Sequence, residues 1–172
     1  MKIIICGAGE VGFSLAKYLA SEDMQVTVID ESSDRLQKVA ASIDVRSIIG
    51  KAYNPNILLE AGAENADLLI SVSENDESNI ISCEIAKVLF NLPNTIARIR
   101  EKDLLESKWL DLFSAKGLKV DNVISPENEV ANMLARLVAV SGAHDLISFA
   151  DDKIRLIGLK LDDDCPVLET PL

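Results

Sequence analysis

"CGAGEVG", residues 6–12, decides how the chain is read. It follows a short apolar run, "KIIIC" at 2–6, and opens a stretch from Glu10 to Ala20 in which Val11, Leu15, Ala16 and Leu19 recur at helical spacing. A glycine turn between a strand and a helix suits the phosphates of a dinucleotide, and each glycine has a task. Gly7 permits the tight turn, Gly9 lets the backbone come close to a pyrophosphate, and Gly12 lets the helix lie against the sheet. Ala8, Glu10 and Val11 complete the turn and begin the helix, whose N–H groups and positive end receive the phosphates. The Glu10 side chain is expected to point to solvent. Asp30 closes a second strand, "QVTVID" at 25–30, and can accept two ribose hydroxyls while repelling a 2′-phosphate. NAD or another adenine nucleotide is therefore favoured over NADP. The competing reading is a tight strand-to-helix turn that holds no ligand.

Outward from the turn, strand and helix alternate. "ESSDRLQKVAAS" reads as a helix capped by Ser32 or Ser33, and "VRSIIG" as a third strand ended by Gly50. Pro55 begins a short helix with Gly62 as its C-cap. Residues 66–73, "ADLLISVS", form a fourth strand, 76–90 a helix, "TIARIR" a fifth strand, 104–115 a helix and "NVISP" a sixth strand. The strands are apolar on both faces, which predicts an α/β chain with a doubly wound Rossmann fold: a six-stranded parallel sheet covered by helices on both sides.

Such sheets bind at the crevice where strand order reverses, so the end of the fourth strand should face the nucleotide. Ser71, Ser73, Asp76 and Asn79 are small polar groups there, and ordinary helix capping by Ser73 or Asp76 is the alternative role. Glu31 and Arg35 follow Asp30, Arg35 about one helical turn past Glu31. Arg35 either reaches the adenine side or pairs with Glu31. Arg98 stands among apolar neighbours in the fifth strand and needs a partner, either a bound phosphate or an acidic side chain of a second subunit.

Composition removes other classes. Hydrophobic residues make up 48% of the 172, which supports a core, and the net charge of -11 opposes nucleic-acid binding. Aromatics at 4% leave few stacking platforms. Cys6, Cys83 and Cys165 are scattered and form no CxxC pair, which fits a reduced, cytosolic compartment. No apolar run approaches the roughly 18 residues of a membrane span, and a strand starting at Lys2 leaves no room for a signal peptide. A soluble protein without a metal site is expected.

Taken together, "GAGEVG", "VTVID", "AGAENADLLISV", "NDESN" and "IARIR" resemble the RCK or KTN family, nucleotide-binding domains that regulate potassium conductance. Within it the likeness is to the regulatory subunits of bacterial Trk potassium uptake systems, and it covers nearly the whole chain. The resemblance implies a cytoplasmic protein, peripheral on the inner face of the cell membrane. It would bind NAD(H), with ATP or ADP as further ligands, and control a TrkH-like membrane potassium transporter subunit. By the same likeness Gly7, Gly9, Gly12 and Asp30 carry the nucleotide, Ser73, Asp76 and Asn79 line its second half, and Arg98 lies near the phosphates or the dimer contact. Many members have Gly-Asp-Ala-Thr after the third strand. Here Lys51 and Tyr53 replace the acidic residue and the threonine.

The remainder fits the resemblance. Residues 1–124 form the nucleotide-binding domain. Residues 125–144 have Pro126 as the expected first helical residue and carry Val130, Met133, Leu134 and Leu137 in an apolar stripe. The family likeness makes this a crossover helix of a homo-dimer or higher homo-oligomer, and packing on its own sheet is the alternative. Residues 145–172 hold two apolar runs around "ADDK", a hairpin that begins a smaller α+β lobe. No core completes that lobe, so a longer protein truncated here is expected.

The alternative function, the cofactor half of an NAD-dependent oxidoreductase, lacks its chemistry. The only histidine, His144, follows the crossover helix, neither Tyr18 nor Tyr53 has a lysine four positions on, and no Gly-Lys-Ser/Thr phosphate loop exists. No catalytic residue is assigned. The turn is read as serving regulation rather than turnover.

Overall fold

The computed structural model describes residues 1–113, 117–139, 143–149 and 153–160. The chain divides into two compact units, Met1–Ser125 and Pro126–Leu172.

The first unit begins with β1 (Lys2–Cys6), α1 (Glu10–Ser21), β2 (Gln25–Asp30), α2 (Ser33–Ser42), β3 (Arg46–Ile49) and α3 (Pro55–Glu60). A 3₁₀ turn at Ala63–Asn65 leads to β4 (Leu68–Ser71), α4 (Asp76–Phe90), β5 (Asn94–Arg98) and β6 (Asn122–Ile124). The strands form one parallel sheet in the order β3-β2-β1-β4-β5-β6. After β3 the chain returns past β1 to lay down β4, so β1 pairs with both β2 and β4, Ile5 opposite Val28 and Ile70. This is the doubly wound arrangement that the alternating elements predict.

The three isoleucines explain why β1 is central. Ile3 and Ile5 enter one hydrophobic cluster with Val28, Leu36 and Val39, while Ile4 and Cys6 enter another with Leu58, Leu69 and Cys83. Adjacent residues of a strand face opposite sides, so an uninterrupted apolar run requires cover on both faces. Alpha helices supply it: α1 and α2 contribute Ala16, Leu36 and Val39 to the first cluster, α3 and α4 contribute Leu58, Ile80 and Cys83 to the second.

Local chemistry sets the boundaries. The Ser32 side chain caps α2 by accepting from the Arg35 N–H at 3.3 Å. Gly62 ends the α3 region in the left-handed conformation with φ 86°. Helix α4 is capped by Asn75, which accepts from the Ser78 N–H at 2.6 Å, so neither Ser73 nor Asp76 is the cap. The helix expected over 104–115 is instead two 3₁₀ segments, Asp103–Leu105 and Ser107–Phe113, separated by Glu106 in extended conformation. Apolar spacing over so few turns does not separate a period of 3.0 from 3.6, and residues 114–115 lie outside the described ones.

The second unit holds α5 (Pro126–Ala139), with Pro126 as its first residue, and an antiparallel pair, β7 (Ala143–Phe149) and β8 (Ile154–Leu159). β7 starts at Ala143, ahead of the expected apolar run, and the "DD" of the turn lies outside the described residues. No helix among the described residues is long and apolar enough to cross a membrane.

Candidate functional site

The glycine turn sits at the carboxyl edge of β1, where strand order reverses. Gly7 has φ +109°, and a Cβ there would come within 2.9 Å of the Ser73 nitrogen, so the turn passes directly against the β4 side of the crevice. A Cβ on Gly12 would lie 1.8 Å from the Gly7 carbonyl oxygen, with Ile5 Cγ2 at 3.5 Å behind it. Gly12 is thus required first by the turn's own backbone and only second by the sheet. A Cβ on Gly9 meets nothing within 4 Å. Gly9 is the N-cap of α1 and has no side chain to cap the helix's first turn, which leaves an open approach to its backbone N–H groups. Glu10 is exposed, while the Val11 side chain packs on the core beneath α1 and offers only backbone to a ligand.

Asp30 is more than an acceptor waiting for a ligand. Its Oδ2 accepts from the Ala8 N–H at 2.6 Å and its Oδ1 from the Ser32 N–H at 2.8 Å. The carboxylate therefore ties the end of β2 to the glycine turn on one side and to the start of α2 on the other. Each carboxylate oxygen can accept a further hydrogen bond, so a hydroxyl group can still be received.

The opposite wall is organised by Asn79. Its side chain is wholly buried. Oδ1 accepts from the Ser71 hydroxyl at 3.0 Å, the Ser73 N–H at 2.9 Å and the Ser73 hydroxyl at 2.7 Å. Nδ2 donates to the carbonyls of Ser73 at 3.1 Å and Arg98 at 2.9 Å. Asn79 stands behind the wall and positions Ser73, which lines the cavity together with Ser71. Asp76 faces a neighbouring groove: its Oδ2 accepts from the Arg100 and Glu101 N–H groups, each at 2.8 Å, and binds the loop after β5. Arg98 ends β5, half-buried, and is not among the residues lining the cavity.

Arg35 does not pair with Glu31. Its guanidinium reaches Asp30 at 3.9 Å and, across the mouth of the crevice, Glu74 at 2.8 Å. Beneath this pair lies a cavity of about 200 Å³ bounded by Gly7, Asp30, Gly50, Tyr53, Ser73 and Asn75. Glu31 lies at its edge. Outside the pair, an open groove of about 500 Å³ runs past Ala8, Gly9, Glu10 and Lys38. Glu74, Gly50, Asn75 and Tyr53 border the cavity without belonging to the residues expected there. Their signal was positional: each follows the carboxyl end of β3 or β4, the edge that faces the crevice. A cavity of about 510 Å³ among Lys2, Gln25, Asp44 and Arg46 lies at the amino edge of the sheet, and neither the glycine turn nor Asp30 lines it.

Burial pushes the Cys6 thiol up to about 12, against a smaller opposing effect of its hydrogen bond with Ser71, so this cavity-lining sulfur stays protonated and inert. The hydrogen bond with Tyr53, then the charges of Tyr53 and Glu31, hold the Lys51 ammonium above its ordinary range. The arrangement offers oriented donors, the carboxylates of Asp30, Glu31 and Glu74, and hydroxyls. Among the described residues no group of side chains could hold a metal ion.

Comparison with known proteins places this geometry. The family model of the TrkA-N domain matches residues 3–126. The Trk system potassium uptake protein TrkA of Azorhizobium caulinodans is 42% identical over 172 residues, which is 100% of this chain and 38% of that protein. The chain thus spans well under half the length of this curated relative. The TrkA-N domain of the inner membrane protein ybaL from Escherichia coli is 25% identical and superposes with a TM-score of 0.68 over 80% of this chain and 96% of that one. The GsuK channel bound to NAD shares the fold, at 17% identity and a TM-score of 0.66 over 87% of this chain and 25% of that one. The glycine turn, Asp30 and the wall built on Asn79 all lie inside the matched residues, and the chain belongs to the TrkA-N domain family.

Proposed function

We propose that this domain binds an adenine nucleotide, NAD(H) or ATP or ADP, as the sensing part of a longer regulator of potassium uptake. One observation carries the reading: at the point of strand reversal, a turn with an uncapped helix start faces a polar wall across a cavity that Asp30 borders. The residues fit such a ligand. Gly9 leaves room for a phosphate against the backbone, Asp30 keeps acceptor capacity for a ribose, and Ser71 and Ser73 offer hydroxyls beyond it. Adenine nucleotides would here be ligands that shift a conformation rather than substrates.

The role in potassium transport draws on the Azorhizobium caulinodans relative, named for potassium uptake. The regulator would sit in the cytoplasm, peripheral on the inner face of the membrane, as a homo-oligomer beneath a TrkH-like potassium-translocating subunit. Calorimetric titration with NAD, NADH, ATP, ADP and cyclic di-AMP tests the binding part. Saturable heat with at least one adenine nucleotide is expected, and none with any of them at millimolar concentration overturns it. Co-purification of the full-length protein with its membrane subunit, and potassium flux that changes with nucleotide, tests the regulatory part.

A further inference from the structure

The ion pair between Arg35 and Glu74 spans the crevice from the α2 side to the loop after β4. Both side chains border the inner cavity, and both border the outer groove that runs past Gly9. They therefore stand where the two spaces meet. A molecule that reached from the glycine turn into the cavity would pass between them. Arg35 and Lys38 give the outer groove its positive charge, while Glu10 and Glu74 oppose it. Arg35 is 44% and Glu74 71% exposed, and a pair so exposed is weak enough for a competing anion to break.

We propose that Glu74 sets ligand selectivity by charge: it occupies Arg35 until an anionic group of the ligand displaces it, and then repels that group. The proposal rests on adenine-nucleotide binding in this crevice. Arg35 would pass from the Glu74 carboxylate to a phosphate, and Glu74 would be left beside the ligand's remaining charge. The cost grows with the number of charges on the phosphate chain. The intact pair thus favours a ligand of few charges, such as AMP or NAD, relative to ATP. Removing the Glu74 charge should narrow or reverse that preference.

Glu74→Gln and Arg35→Gln, alone and together, test this by calorimetric titration with AMP, ADP, ATP and NAD at low and high salt. Glu74→Gln should tighten ATP by about threefold to tenfold, ADP by less and AMP least. The gain should shrink as salt is raised, and with Arg35→Gln also present it should fall to the part that comes from direct repulsion between Glu74 and the ligand. A merely structural role for Glu74 would move all four ligands alike and without salt dependence, and that result overturns the proposal. Nucleotide binding by the native protein with no change in Glu74→Gln also overturns it while leaving the proposed function standing. No binding of any nucleotide by the native protein removes both.

Discussion

The Asp30 carboxylate accepts the Ala8 N–H at 2.6 Å, which makes the acidic end of β2 a strut of the glycine turn itself. Its other oxygen holds the Ser32 N–H at 2.8 Å. Asp30→Ala should therefore lower the stability of the unliganded protein by about 1–3 kcal/mol, because two N–H groups lose their acceptor. Asp30→Asn should also destabilise, since its NH₂ group must face one of those two N–H donors. Urea unfolding without ligand measures this. The same carboxylate should make NADH bind more tightly than NADPH, and equal affinities in the native protein would remove its ribose-reading role.

Gly9 and Gly12 should fail in opposite ways. Gly9 has φ -70° and open space at its Cβ, so Gly9→Ala should leave stability within about 1 kcal/mol of the native value while obstructing phosphate approach. Gly12→Ala drives a methyl group to 1.8 Å from a backbone oxygen and should unfold or rebuild the turn. Thermal unfolding followed by nucleotide titration separates the two. Loss of folding in Gly9→Ala would contradict the open site.

Asn79→Ala should cost about 2–4 kcal/mol, because it strips hydrogen bonds from Ser71, Ser73 and the Arg98 carbonyl at a fully buried position. Ser73→Ala, on a partly exposed residue, should cost less. Nucleotide affinity in Asn79→Ala should fall even where the protein remains folded, since Ser73 loses its anchor. Unchanged stability, by urea unfolding, is the contrary result.

Asp121 gives the fold an acid-sensitive link. Burial raises its carboxyl, but the opposing hydrogen bonds from Lys87 and Thr95 prevail and hold it below the ordinary value of 3.8. Oδ2 takes the Thr95 N–H at 2.7 Å and hydroxyl at 3.0 Å, with the Lys87 ammonium at 2.6 Å. A depressed folded-state value means that the stabilisation is present above the unfolded value and lost as pH falls through the folded one. Unfolding measured from about pH 5 down to pH 2 should show stability falling below about pH 4, with a shallower fall in Asp121→Asn. Equal slopes would contradict the link.

On α5, Val130, Met133 and Leu134 are each more than half exposed in the isolated chain, and the Leu137 side chain lies outside the described residues. A helix face of this kind is unusual on a stable monomer. Leu134→Asp should shift the protein toward monomer in sedimentation velocity with nucleotide binding retained. A native protein that sediments as a monomer at micromolar concentration would count against this.

The sheet was legible because its strands are apolar on both faces and each is followed by a turn or helix signal. That pattern arises from burial, which composition records directly. The glycine turn was legible for a related reason: a position where no Cβ fits leaves only one residue type. What escaped was pairing over long sequence separation. Nothing near Arg35 in sequence shows that its partner is Glu74, and nothing near Asn79 shows that its amide is spent on the Arg98 carbonyl. Those contacts exist only once β4 lies beside β1. The alternative role of Ser73 or Asp76 as the cap of α4 does not hold because three of the four consecutive polar residues Ser73 to Asp76 are chemically able to cap and only backbone geometry selects Asn75. The 3₁₀ segments after β5 were missed because short helices carry too few turns to fix their period.

The bond from Asn79 to residue 98 uses the carbonyl of Arg98 and not its guanidinium. Every amino acid supplies that carbonyl. Exchange of the side chain at 98 therefore leaves intact the brace that joins the tips of β4 and β5, whereas exchange at 79 does not. The two positions therefore bear unequally on this brace although they are joined by one hydrogen bond.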